Sequence, residues 1–258
     1  MEQKIQEAIK LFQEQKWDEA IDAFSQILET TQSAEIYNNL ALCYYNKSDL
    51  EKAEMFYLKA LETNPKLTQV YINLADLYFR QKNFVSAINL LQSGVYELPD
   101  EIVLSHYLAR VYMEDARLDL AIDELNKVLE AQEENYDAYY DLGRIYFELG
   151  EYDLAVSNFE SVLEYKDNNE WVYFYLGQAY EANDQVDKAM SSYLRAIALN
   201  EKFYPAYKKV AILFLARNDF QDAIEYFEDY MSFDLPQEEK ENIQATVERI
   251  KGVNGLNS

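Results

Sequence analysis

The residues that could carry chemistry in this sequence are few and far apart. Nucleophilic catalysis with an imidazole base needs a histidine, and His106 is the single histidine of the 258 residues. The single cysteine, Cys43, lies far from it in the chain, so the sequence predicts no Cys–His pair. No glycine-rich phosphate loop, His-Glu-x-x-His motif or calcium-loop spacing occurs. We therefore predict that the protein is not an enzyme and uses no metal and no cofactor.

The acidic side chains are the most abundant candidates for acid–base chemistry, but their number favours another role. The chain carries 47 acidic and 23 basic residues, a formal net charge of −24. Such a surplus keeps a protein soluble and repels polyanions, so nucleic acid and anionic membrane surfaces are poor candidate partners. On helices, most of these carboxylates are expected to form a solvated face rather than a catalytic pair.

Several features of the chain predict a cytoplasmic location. The longest apolar run, Val210 to Ala216, is too short to span a membrane, and the first residues, MEQKIQEAIKLFQEQKW, lack the apolar core of a signal peptide. A lone Cys43 cannot form an internal disulfide, so nothing requires an oxidising compartment. We expect no membrane insertion.

The elements that must position these residues are predicted to be helices. Only 6 glycines and 4 prolines occur, which removes most of the turn residues that sheets need. Alanines recur every 33 or 34 residues along the whole chain. They are Ala20, Ala53, Ala87, Ala121, Ala155, Ala189 and Ala223. This period indicates a repeat protein.

Other positions of the period carry one kind of residue each. Twelve residues before each alanine the side chain is small: Ala8, Ala41, Ala75, Ala109, Gly143, Gly177 and Ala211. Four residues after it the side chain is large: Phe24, Tyr57, Leu91, Leu125, Phe159, Tyr193 and Phe227. Within each half of a repeat the apolar residues fall three, four or seven apart, which predicts two amphipathic helices per repeat. We expect the small residues to allow close helix approach and the large ones to fill the space beside them. Aspartates such as Asp18, Asp119, Asp153 and Asp187 are expected to cap the start of the second helices.

The unit Thr68 to Glu101 carries the pattern most completely, with Tyr71, Leu74, Ala75, Tyr78, Phe84, Ala87, Leu91, Gly94 and Pro99 in order. This pattern resembles the tetratricopeptide repeat family. The resemblance implies an all-α fold, a right-handed α-solenoid or superhelix of tandem helix-turn-helix repeats. It covers about residues 1–237, as seven repeats at 1–33, 34–67, 68–101, 102–135, 136–169, 170–203 and 204–237. Residues 238–258 are expected to form a C-terminal capping helix, ending near Lys251, and a mobile tail.

The resemblance also implies where a ligand would bind. In this family the first helices of successive repeats line a concave groove, and the matching positions supply the candidate peptide-binding residues. They are Asn39, Asn73, Phe79, Arg80, Tyr107, Arg110, Tyr140, Arg144, Phe147, Phe174 and Tyr175. Trp171 could continue the aromatic stretch. The aromatics either anchor a ligand or pack between neighbouring helices.

The three arginines of this set also have two interpretations. They could bind carboxylates of a partner through paired hydrogen bonds. Alternatively, each could pair with an acid four residues away on its own helix, as Asp76–Arg80, Arg110–Glu114 and Arg144–Glu148. The basic residues with which some members of the family clamp a chaperone's C-terminal carboxylate are missing, so that specificity is not predicted.

The predicted function is therefore a protein–protein interaction module or assembly scaffold that binds a peptide segment of another protein. Two alternatives stay open from sequence: a self-assembling structural protein that uses its amphipathic terminal helix, and a noncatalytic regulatory subunit of an enzyme complex.

Overall fold

A computed structural model describes residues 1–166 and 168–254, and every regular element in these residues is an α-helix. The chain divides into two compact units, Met1–Glu133 and Glu134–Ser258. The first unit contains α1 (Glu2–Gln13), α2 (Trp17–Leu28), α3 (Ala34–Asn46), α4 (Leu50–Thr63), α5 (Thr68–Arg80), α6 (Phe84–Glu97), α7 (Ile102–Glu114) and α8 (Leu118–Ala131). The second contains α9 (Tyr136–Glu148), α10 (Tyr152–Tyr165), α11 (Glu170–Ala182), α12 (Val186–Leu199), α13 (Tyr204–Ala216), α14 (Phe220–Ser232) and α15 (Gln237–Asn254).

The helices form hairpins in both units. Each odd-numbered helix from α1 to α13 packs against the even-numbered helix that follows it. All seven alanines that define the period are 0% exposed, so each lies where two helices meet. Within the first unit α5 also contacts α7, and within the second α9 contacts α11. The first helices α5 and α7, and likewise α9 and α11, therefore lie side by side.

Two glycines show how closely the helices of a hairpin approach. A Cβ atom at Gly143 would lie 2.7 Å from the ring of Phe159, and one at Gly177 would lie 2.6 Å from the ring of Tyr193. These distances are far below van der Waals contact. The prediction that the small residue of the first helix faces the large residue of the second is confirmed at these two hairpins.

The turn inside each hairpin is three residues long and has one conformation throughout. Its middle residue has a positive φ in every hairpin: Gln15, Ser48, Lys82, Ala116, Gly150, Asp184 and Asn218. The amide that follows it donates to a carbonyl five residues back, as from Asn83 N to Tyr78 O at 2.9 Å and from Glu151 N to Tyr146 O at 2.9 Å. This is the Schellman arrangement that satisfies the free carbonyls at a helix end.

The aspartates that were expected to cap the second helices lie inside the first turn and make no cap. Asp18, Asp119, Asp153 and Asp187 lie in the first turn, where a negative charge suits the helix dipole, but their helices have no side-chain cap bond at the N-terminus. The capping prediction was wrong because each residue lies two positions inside the cap. Three of them instead bind the side chain of the residue that directly follows the first helix of the next hairpin: Asp18 with Lys47, Asp153 with Asn183 and Asp187 with Arg217.

The last helix covers the end of the second unit. Ile243, Val247 and Ile250 of α15 are buried in one cluster with Ile224 and Phe227 of α14. The helix runs to Asn254, three residues beyond the predicted end at Lys251, so the predicted tail does not begin at Gly252. Residues 255–258 of that tail lie outside the described residues.

Candidate functional site

All the predicted binding residues lie on first helices. In the first unit, α3 carries Asn39, α5 carries Asn73, Phe79 and Arg80, and α7 carries Tyr107 and Arg110. In the second unit, α9 carries Tyr140, Arg144 and Phe147, and α11 carries Phe174 and Tyr175. The two sets are described separately below, each within its own unit.

An amide chain links α3 to α5 in the first unit. Asn73 Nδ2 donates to Oδ1 of the buried Asn38 at 2.9 Å, and Gln69 Nε2 donates to Asn73 Oδ1 at 2.9 Å. The side chain of Asn73 is thus already engaged on both its nitrogen and its oxygen. The half-buried Asn39 has no such bond among the described residues, so its amide is the more available of the two predicted asparagines.

Arg80 lies in a second polar network of the first unit. Its Nε atom is 3.1 Å from Asp76 Oδ2, and its guanidinium lies 5.2 Å from the centre of the Tyr45 ring. Tyr45 donates its hydroxyl to the same Asp76 oxygen at 2.6 Å. Burial, together with the Asp76 carboxylate, raises the pKa of Tyr45 to about 12. The pairing of Asp76 with Arg80 is confirmed.

The pairing predicted for Arg110 is not formed. Arg110 is exposed, and within residues 1–166 and 168–254 it has no ion pair, with Glu114 or with any other acid. The order of the two residues is the less favourable one for such a pair. Helical side chains lean toward the N-terminus, so an arginine reaches an acid that precedes it more easily than one that follows it.

Arg144 follows the same rule in the second unit. Its nearest acidic partner is Asp141, three residues before it, with Nη1 3.8 Å from Oδ1, and the predicted pair with Glu148 is wrong. Arg80 and Arg144 therefore have acids on their own helices, whereas Arg110 presents its guanidinium to solvent.

The second unit brings several predicted aromatics into one group, here called the aromatic cluster. Its members are Tyr140, Phe159, Trp171, Phe174, Tyr175, Tyr193 and Phe203. Tyr175 stacks on Phe159 at 5.9 Å and meets Tyr140 edge-on at 5.9 Å. Trp171 lies edge-on to Phe203 at 4.7 Å and is still 46% exposed. The cluster thus has a packed interior and an exposed indole.

Three members of this cluster were not among the predicted site residues. Phe159 and Tyr193 belong to second helices, and Phe203 lies in the connection before α13. The signal for two of them was in the period, because they occupy the large position four residues after the repeat alanine. Burial raises the pKa of Tyr193, and its hydrogen bond to Glu181 Oε2 at 2.6 Å adds to that.

The remaining predicted aromatics pack inside their own hairpins or make no ring contact. Phe79 meets Phe84 edge-on at 5.7 Å, and Phe147 lies 5.7 Å from Tyr152. Both contacts join the end of a first helix to the start of its own second helix. Tyr107 is half-buried and makes no ring contact with the described aromatics. Packing thus explains Phe79 and Phe147, while Tyr107 has no such structural partner.

The part of the chain that the structure describes offers no group of three or more His, Cys, Asp or Glu side chains arranged to hold a metal ion. No helix in it combines the length and apolar character needed to cross a lipid bilayer. The arrangement of the predicted residues provides aromatic surface, the half-buried amide of Asn39 and the unpaired guanidinium of Arg110, which are groups suited to binding.

Comparison with known proteins identifies the repeats. Family models described as tetratricopeptide repeat match residues 32–95, 112–157 and 172–203, and one described as TPR repeat matches residues 143–184. The chain spans about a tenth of the length of the curated relatives it matches. One is the mitochondrial import receptor subunit TOM70 of Saccharomyces cerevisiae, 33% identical over 67 residues, which is 26% of this chain and 11% of the receptor.

Solved structures show the same fold. The C-terminal part of a TPR repeat-containing protein from Cytophaga hutchinsonii matches with a TM-score of 0.74 and 20% identity, covering 92% of this chain and 98% of the other. YrrB, described as a TPR protein with an unusual peptide-binding site, matches with a TM-score of 0.58 and 24% identity over 72% of this chain and 96% of its own. The predicted fold class, an all-α solenoid of helical hairpins, is confirmed.

Proposed function

Because the chain is a tetratricopeptide repeat protein, we propose that it binds a peptide segment of another polypeptide on the exposed faces of its first helices. The observation that carries this proposal is the aromatic cluster of the second unit. Trp171 and the half-buried Tyr140, Phe174 and Tyr175 provide a rigid apolar surface that the fold does not fully cover. Large aromatic side chains at the edge of a packed cluster are typical anchors of protein interfaces.

The first unit would contribute polar contacts of its own. Arg110 has no acid to release before it binds a carboxylate of a ligand, and Tyr107 lies on the same helix. Asn39 could hydrogen-bond the main chain of an extended segment, whose amides need partners once water is removed. Arg80 and Arg144 would first have to leave Asp76 and Asp141, so we assign them a lesser part.

Two relatives support a role in protein binding by their own descriptions. YrrB is named as carrying a peptide-binding site, and TOM70 is named as an import receptor subunit. Both resemblances cover repeats rather than the particular residues of a site. The identity of the partner and a cytoplasmic location stay predictions.

The test compares two exposed residues of the first helices with an exposed aromatic of a second helix. Partners that copurify with the tagged protein are identified and quantified by mass spectrometry for the unmodified chain, Trp171→Ala, Arg110→Ala and the control Tyr96→Ala. Tyr96 lies on the second helix α6 and is 85% exposed. Loss of an interface anchor costs about 2 kcal/mol or more, roughly a 30-fold loss of affinity. We expect such a loss for Trp171→Ala and none for Tyr96→Ala.

Equal recovery of every partner with all four proteins would exclude the assigned faces. Thermal melting of each variant separates lost binding from lost folding. Arg110 is exposed, so its variant should melt close to the unmodified chain, whereas Trp171 packs on Phe203 and its variant should melt somewhat lower.

Self-assembly through the terminal helix receives no support from the structure. Ile243, Val247 and Ile250 of α15 are already buried against α14, and the exposed Val253 near the end of the helix is a single apolar residue rather than a stripe. Sedimentation velocity with and without residues 237–258 checks this point. A full-length dimer that becomes monomeric on truncation would favour the alternative.

A further inference from the structure

A cleft of about 530 Å³ in the second unit lies between α12, α13 and α14. It shares no residue with the predicted peptide-binding set. Leu194 and Ile197 of α12 form an apolar wall, and Tyr207, Tyr226 and Phe233 form an aromatic one. Its volume falls within the range of about 300–1,000 Å³ that is typical of small-molecule sites.

The aromatic wall is held in place by contacts among its own members. The ring centre of Tyr207 lies 5.2 Å from that of Phe233 and 6.1 Å from that of Tyr226. Tyr226 in turn stacks on Phe214 at 5.5 Å. Tyr207 donates its hydroxyl to the main-chain oxygen of Glu201 at 3.0 Å, which ties the loop before α13 to the wall. The ring faces are therefore fixed before any ligand enters.

The cleft carries negative charge without compensation. Glu201 and Asp229 are both exposed and both line it, and its lining includes no lysine, arginine or histidine. Neither carboxylate has an ion pair within residues 1–166 and 168–254. Burial raises the pKa of Tyr207, and Asp229 and Glu201 raise it further, as expected for a negative local potential.

We propose that this cleft binds an organic cation, namely an alkylammonium or guanidinium group, between its aromatic wall and its two carboxylates. Rings attract such cations through their negative faces, and nearby carboxylates add to that attraction. The methyl or methylene groups of the ligand would pack on Leu194 and Ile197, which an inorganic cation cannot do. The cleft should therefore prefer a ligand that carries both a positive charge and apolar groups.

The test uses choline and its neutral isostere 3,3-dimethylbutanol, which has the same shape without the charge. Binding to the full chain is followed by NMR titration of the tyrosine ring signals at constant ionic strength. We expect choline to bind at least fivefold more tightly than the alcohol. Asp229→Asn should weaken choline binding at least threefold, whereas Asp219→Asn, the same loss of charge at the exposed N-cap of α14, should change it less than twofold.

Equal binding of choline and the alcohol, or an equal effect of Asp229→Asn and Asp219→Asn, would overturn the proposal. Tyr226→Ala tests the wall, and its melting curve shows whether the unit stays folded. Trp171→Ala should leave choline binding unchanged, so that failure of the peptide-binding proposal and failure of this one can be told apart.

A second titration separates two sources of the cation. Short peptides that contain one lysine are compared with n-butylammonium, and short peptides that contain one arginine are compared with ethylguanidinium. A peptide that binds more tightly than the free cation of its own side chain indicates a side chain of a partner protein, and the reverse order indicates a free small molecule. No binding by any of the cations would contradict the proposal.

Discussion

Single residues of the repeat are constrained by contacts that leave no room for one carbon atom. At Gly177 and Gly143 the backbone of the first helix lies directly against an aromatic ring of the second. Glycine is a poor helix former, so its presence in the middle of α9 and α11 needs a packing reason. The ring contact supplies that reason.

We predict that Gly177→Ala destabilises the protein although alanine is the better helix former. Overpacking costs about 1–3 kcal/mol, which outweighs a gain in helix propensity of roughly 1 kcal/mol. Gly252→Ala is the matched control, because a Cβ there meets open space within α15, and it should be neutral or stabilising. Urea unfolding gives both free energies. A stabilised Gly177→Ala would show that Tyr193 moves aside without cost.

The thiol of Cys43 is predicted to be inert while the protein is folded. It is fully buried, and burial raises its pKa to about 12. The reactive thiolate is therefore scarce at neutral pH. Because the folded pKa exceeds the unfolded one, this neutral thiol contributes stability fully below pH 9, and that contribution is lost as the pH rises toward 12.

Reaction with a chromogenic disulfide reagent at pH 8 checks this. We expect the rate in the folded protein to follow the unfolded fraction as urea is added, with full reactivity only beyond the transition. Fast reaction in the absence of urea would contradict the burial of this residue.

At the scale of elements, the hairpin turn repeats more strictly than its sequence does. In all seven turns the middle residue has a left-handed backbone conformation, yet only one of these residues, Gly150, is a glycine. For a residue with a Cβ atom this conformation costs about 1–2 kcal/mol. The main-chain hydrogen bonds at the end of each first helix nonetheless hold the residue in this left-handed conformation.

We predict that Ala116→Gly stabilises the first unit by about 0.5–1 kcal/mol. The gain comes from relief of strain at a φ of 56° and is partly offset by the greater entropy of glycine in the unfolded chain. Ala131→Gly, at the exposed end of α8, is the control and should destabilise by up to about 1 kcal/mol. Opposite signs in thermal unfolding would agree with this account, and two destabilised variants would not.

At the scale of the whole molecule, the large negative charge is expected to cause self-repulsion in the folded protein. The net charge of −24 follows from 47 acidic and 23 basic residues. Most ion pairs involve exposed side chains, such as Lys10–Glu14 and Lys52–Asp49, and such pairs contribute little. Screening should therefore help the folded state more than it weakens these pairs.

We predict that the melting temperature rises when sodium chloride is increased from 10 to 300 mM. Calorimetry measures the shift, and potassium chloride should give the same result if screening is the cause. A fall with added salt would mean that the surface ion pairs outweigh the repulsion.

The fold could be predicted from the sequence because its information is local and repeated. One hairpin is specified by Ala121, the small residue twelve positions before it and the large residue four positions after it. The same pattern occurs seven times in the chain. The end of α15 was misjudged because fraying depends on weak contacts that carry no pattern. The shared turn conformation could not be predicted from the sequence, because the middle residue is not a glycine in six of the seven turns.

The binding residues could be predicted from the sequence less well than the fold. Its location on first helices followed from the family resemblance, but the sequence could not decide which side chains stay available. Arg110 and Arg144 occupy equivalent places, 34 residues apart, and only the structure shows Arg144 held by Asp141 and Arg110 unpaired. In the same way, Trp171 is left exposed while Phe79 is packed inside its hairpin.

The sequence by itself determined the class of protein, the number of hairpins and the buried stripe of each helix, because helical periodicity and residue size act over a few turns of chain. Only the tertiary structure decided which aromatics form a cluster, which charges are unpaired and where a cleft opens between α12 and α14. The physical reason is that these properties depend on distances between side chains from different helices. Small differences in rotamer and residue order, as between Asp76–Arg80 and Arg110–Glu114, change such distances without changing the repeat.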